Sequence, residues 1–91
     1  MKAFEWIDRV KNERGFASDY AVAKALGITQ ATISLYRKRG STLDERASIS
    51  VAQMLGIAPA SVVLDQAAER VKNPEIRAAL LDQANRLCIL C

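Results

Sequence analysis

The 91-residue chain contains no histidine. That absence removes the commonest general acid–base and the commonest nitrogen ligand for a metal. No Gly-rich phosphate loop and no paired-carboxylate arrangement stands out among the other residues. The composition therefore points away from an enzyme, and no cofactor or metal is expected. Cysteine is confined to Cys88 and Cys91 at the end of the sequence, which is not a disulfide framework. Their CxxC spacing lacks the second pair or the His that would complete a tetrahedral site, so both read as small hydrophobes. With four Gly and two Pro the chain is not loop-rich, and with 5% aromatics it favours helices over a sheet. No apolar run approaches the roughly 20 residues of a membrane span. No basic segment leads into an apolar one, so export is not expected and a reduced, cytosolic setting is.

What is present suits one small domain. Apolar residues make up 51% of the chain, enough for one modest core. The net charge of +3 is unevenly placed. Residues 1–40 hold eight Lys/Arg against four Asp/Glu, and residues 41–91 hold five against six. A positive first half suits a polyanionic partner.

Ala3, Ile7 and Val10 recur at helical spacing in a first helix over 2–14, with Trp6 as a core anchor and Gly15 as its stop. Ser18 and Asp19 are both able to cap a second helix over 19–26. Thr29 caps a third over 29–38. Thr42 with Glu45 matches a capping box for a fourth helix over 43–55, with Ala47, Val51, Met54 and Leu55 inward. Pro59 fits the first turn of a fifth over 59–72, whose apolar positions are Val62, Val63, Ala67 and Val71. Asn73-Pro74 breaks that helix and opens a sixth over 74–89.

The centre of the chain is Ser18–Lys38, SDYAVAKALGITQATISLYRK. It reads as two short helices joined by a tight turn at Leu26-Gly27-Ile28. Ala23 is small where two backbones approach, Gly27 tolerates positive φ in the turn, and Ile33 anchors the second helix inward. Val22, Leu26, Ile28 and Tyr36 complete the apolar side.

With Ala23, Gly27 and Ile33 in register, and with ALGITQATISLYRKRG followed by VAQMLGI, the segment resembles the helix-turn-helix of the lambda-repressor-like (Cro/CI-type, XRE) family. The resemblance covers about residues 3–65. It implies an all-α fold of five to six helices, with a DNA-binding domain over 1–72. It implies that the second helix of the motif enters the major groove. Gln30 would read a base from the first turn, with Ala31, Ser34 and Leu35 outward beside it. Lys24, Thr29, Thr32, Arg37, Lys38 and Arg39 would contact phosphates. Many relatives carry Gln where this chain has Asp19; a carboxylate there is repelled by phosphate and is expected to cap the second helix instead.

Residues 73–91, outside the resemblance, carry two neighbouring apolar lines: Ile76, Leu80, Leu87 and Leu90, then Leu81, Ala84, Cys88 and Cys91. Their combined width exceeds one intramolecular contact. A dimerisation helix packed on the same domain is expected, with Leu80, Leu81, Ala84, Leu87, Cys88 and Leu90 at the interface. The expected protein is a homodimeric transcriptional regulator in the cytoplasm of a bacterial host. It would be a phage or prophage repressor on a palindromic double-stranded operator, with no membrane and no small-molecule substrate as partner. The alternative is an antitoxin or other protein-interaction module with the same fold.

Overall fold

Six helices and no strand make up the described residues: α1 (Ala3–Arg14), α2 (Asp19–Leu26), α3 (Gln30–Arg39), α4 (Glu45–Leu55), α5 (Pro59–Arg70) and α6 (Pro74–Leu90). The computed structural model describes the backbone of residues 1–90 and the side chains of residues 1–87. Among them, no helix is long and apolar enough to cross a membrane. The helix stops follow local chemistry. Gly27 and Gly56 adopt the left-handed conformation, φ 71° and 68°, after α2 and α4. In both turns the next residue, Ile28 or Ile57, donates its N–H back to Ala23 or Ala52 at 3.0 Å. This paired bonding satisfies carbonyls that a helix end leaves open.

The core is one cluster. Trp6, Ile7 and Val10 of α1 meet Val22, Ala23 and Leu26 of α2, Ile33 and Tyr36 of α3, Ala47, Val51 and Ala52 of α4, and Val62 of α5. Leu43, in the connection before α4, is fully buried with them. Trp6 is the core anchor that its spacing indicated, and its indole also donates Nε1–H to Asp65 Oδ2 at 2.8 Å.

Two readings of the sequence are corrected here. Helix α4 begins at Glu45, and Asp44 caps it by accepting the Ala47 N–H at 2.7 Å. Thr42 does not cap; its hydroxyl accepts from Arg70 Nε at 2.8 Å. The reason lies in Leu43, which is drawn into the core and delays the helix by two residues. Helix α5 ends at Arg70, and its buried residues are Ser61, Val62, Asp65, Gln66 and Ala68. Of the apolar positions expected there, Val63, Ala67 and Val71 are only half-buried. A polar pair takes the inner face because each of its groups finds a partner. Gln66 Oε1 accepts the Leu43 N–H at 2.9 Å, and Gln66 Nε2 donates to Met1 O at 2.9 Å and to Asp65 Oδ2 at 3.1 Å.

Helix α6 packs against α5. Asn73 caps it, its side-chain oxygen accepting the Glu75 N–H at 2.9 Å. Arg77 reaches back to donate to Val71 O at 2.8 Å and Ala68 O at 3.2 Å, closing the open carbonyls at the end of α5.

Gln66→Leu keeps the volume but leaves the buried Leu43 N–H without an acceptor. Stability should fall by about 1–3 kcal/mol, read from urea midpoints at an unchanged slope. A wild-type midpoint would mean that the connection before α4 does not depend on Gln66.

Candidate nucleic-acid interface

Only Ile33 and Tyr36 of α3 are buried. The remaining residues of this ten-residue helix are wholly or partly open to solvent. Gln30, Ala31 and Leu35 are exposed, Leu35 by 45%, and Ser34 is half-buried. These four expected base readers therefore share the outward side of one helix. The 100° step anchored on Ile33 turns Ala31, Ser34 and Leu35 that way, and Gln30 is exposed as the first residue of the helix.

The start of α3 is set by Thr29, whose hydroxyl accepts the Thr32 N–H at 3.1 Å. The two hydroxyls also bond each other at 2.8 Å. One such bond uses one of their two protons, which leaves the other O–H for an external acceptor. Lys24, Lys38 and Arg39 are exposed, and among the described residues none of them enters an ion pair. Lys24 lies on α2 near the start of α3, and the other two lie at its end. Three cations thus flank the open face.

Arg37 stands differently. Its guanidinium donates Nε–H to Asp19 Oδ2 at 3.0 Å and Nη2–H to Asp19 Oδ1 at 2.9 Å. The other edge meets Asp8, Nη2 to Oδ1 at 2.8 Å. Lys11 Nζ stands 3.4 Å from Asp19. Arg37 therefore joins α3 to α1 and α2, with its charge matched by two carboxylates, where sequence reasoning assigned it to phosphate. Asp19 is likewise corrected: Ser18 caps α2, accepting the Ala21 N–H at 3.1 Å, and Asp19 turns toward Arg37. A two-pronged guanidinium fits a carboxylate better than a helix-end N–H does. The hydrogen bonds from Arg37 hold the Asp19 carboxyl below the usual carboxylate range, with Lys11 adding to the pull and burial opposing it. Hydrogen bonding to Asp8 and then to Asp19 raises the Arg37 guanidinium further above its already high value.

A groove runs between the starts of α2 and α3, lined by Tyr20, Ala23, Lys24, Ile28, Thr29 and Gln30. Tyr20 is 62% exposed. Sequence reasoning passed over it, although the same 100° step, counted from buried Val22, Ala23 and Leu26, turns Tyr20 outward.

On α6 the two apolar lines separate. Ala84, expected at a dimer interface, is buried at 4% exposure and lines a small cavity with Trp6, Arg9 and Asp65 of its own chain. This corrects its assignment, since the inner side of α6 is already covered. Leu80, Leu81 and Leu87 are half-buried, and Ile76 is 52% exposed. The expected contributions of Cys88, Leu90 and Cys91 lie outside the described side chains.

No protein-family model, curated protein or solved structure matches the chain.

The lowered Asp19 carboxyl gives a pH dependence of definite sign. Its stabilisation is fully present above its unfolded pKa, near 4, and is lost as the pH falls through the lower folded value. Below about pH 4, wild type should lose stability more steeply than Asp19→Asn, as measured by urea midpoints across the acid range. Parallel curves would show that the Arg37–Asp19 pair does not contribute to folding.

Proposed function

We propose that this chain binds double-stranded DNA with the open face of α3. On this reading it is a lambda-repressor-like regulator of the Cro/CI type, acting as a phage or prophage repressor in the bacterial cytoplasm. The observation that carries the proposal is the surface of α3. Gln30, Ala31 and Leu35 stand exposed with half-buried Ser34, between cations that no carboxylate of the described residues neutralises. A polar helix face with unpaired cations at its ends matches what a major groove requires. Base edges are read along the helix, and phosphates are met on either side.

The fold reading has its own support. Ala23 is 2% exposed and Ile33 is 1% exposed. Gly27 takes the positive φ of the turn between α2 and α3. These are the three positions on which the resemblance rests, and each has the burial or backbone angle that its role requires. Within the face, Gln30 is the proposed adenine reader, through a bidentate bond to N6 and N7. Ala31 and Leu35 pack on thymine methyls, and Ser34 meets a base edge or a phosphate. Lys24, Lys38 and Arg39 meet phosphates, with the spare hydroxyl proton of the Thr29–Thr32 pair beside them. Arg37 is withdrawn from that set and serves to hold α3.

Homodimerisation through α6 completes the proposal. The exposed Ile76 and the half-buried Leu80 and Leu87 form an edge that a second copy would cover. Two copies would then set their α3 helices about one DNA turn apart, near 34 Å.

Selection of bound duplexes from a random pool tests the function directly. A palindromic consensus is expected, and recovery of no sequence would remove the DNA reading. Gln30→Ala should lose discrimination at one or two base pairs of that consensus, by about 1–3 kcal/mol. An unchanged preference would exclude Gln30 as a reader. Ile76→Asp should sediment as a monomer where wild type sediments as a dimer. A wild type that is monomeric alone but forms a heterocomplex with a co-expressed protein would favour the interaction-module reading.

A further inference from the structure

Tyr20 is the most exposed large apolar side chain of the described residues, at 62%. It sits in the first turn of α2, four residues before Lys24, so the two are neighbours on the outward face of that helix. Across the groove stand Thr29 and Gln30, where α3 begins. The lining contains one cation with no ion-pair partner among the described residues, an aromatic ring with a hydroxyl, a second hydroxyl and a carboxamide, and no carboxylate. The nearest acid in sequence, Asp19, is turned away and held by Arg37 and Lys11. The groove is therefore positive, rich in donors and open at the edge of the face assigned to DNA.

We propose that this groove seats one phosphate and its deoxyribose from the strand flanking the base pairs read by α3, with Tyr20 as a DNA contact. The proposal rests on the DNA reading above. The Tyr20 phenol donates its O–H to a phosphate oxygen, and its ring lies against the sugar. Lys24 supplies the counter-charge. Continuity with Gln30 gives the contact a second effect: a strand fixed at Tyr20 fixes the depth at which Gln30 enters the groove.

The test uses the full chain and a fluorescent duplex recovered by wild type from a random pool. Tyr20→Phe should weaken binding about tenfold, as expected for one hydrogen bond to a charged group. It should leave the salt dependence unchanged, because a phenol carries no charge. Tyr20→Ala should weaken binding further through loss of the ring. Lys24→Met should make the plot of log affinity against log salt shallower by about 0.9. Replacing phosphates one at a time by neutral methylphosphonates should locate one position at which wild type loses affinity and Tyr20→Phe loses little more. Thermal melts of Tyr20→Phe should match wild type. Wild-type affinity in both Tyr20 variants would overturn this contact and leave the DNA reading standing. A wild type that recovers no duplex would remove both.

Discussion

A ten-residue helix attached by two buried side chains has little packing to define its orientation. That constraint follows from any use in which most of α3 must remain open. Ile33 and Tyr36 fix where the helix lies, but two contacts about one turn apart still allow it to roll. Arg37 supplies the missing restraint. Bonded to Asp19 on α2 and Asp8 on α1, it ties the outer flank of α3 to two other helices. A single exposed ion pair is worth little. A planar guanidinium gripping two carboxylates adds direction as well as energy. The same arrangement neutralises the two acids, Asp8 and Asp19, that stand beside it.

The scaffold beneath α3 depends on a second polar node. Asp65 and Gln66 are buried on α5, where apolar residues would usually lie. They are tolerated because the Trp6 indole, the Leu43 N–H and the chain start at Met1 satisfy them. Unsatisfied, each would cost more than it contributes. Satisfied, they join α1, the connection before α4 and α5 in one register, which apolar packing alone leaves less sharply defined. Leu43 is placed by this node, and the start of α4 follows from it.

Helix α6 is secured differently, by Arg77 on the end of α5 and by Ala84 against the cavity beside Trp6. These attachments use one side of the helix. The wide apolar surface read from the sequence is thereby divided. Among the described side chains Ala84 belongs to the chain's own interior, Leu80, Leu81 and Leu87 are half-buried, and Ile76 is exposed.

The sequence by itself determined the six helices and most of their ends, because those depend on neighbours. Ser18 and Thr29 cap within three residues, Gly27 and Gly56 stop helices by their own φ, and Pro59 and Asn73-Pro74 act on adjacent backbone. It also identified the turn anchors Ala23, Gly27 and Ile33, and hence the outward set of Ala31, Ser34 and Leu35, since helical periodicity is a local property. Only the tertiary structure decided where polar side chains went. The partners of Arg37 lie 18 and 29 residues away, that of Gln66 lies 23 away and that of Thr42 lies 28 away. Periodicity carries no record of such pairings. For this reason Arg37 read as a phosphate contact and Thr42 as a cap, and nothing in the sequence marked Asp65 and Gln66 as buried. A polar group is buried when a distant partner meets it, and that meeting exists only in the folded chain.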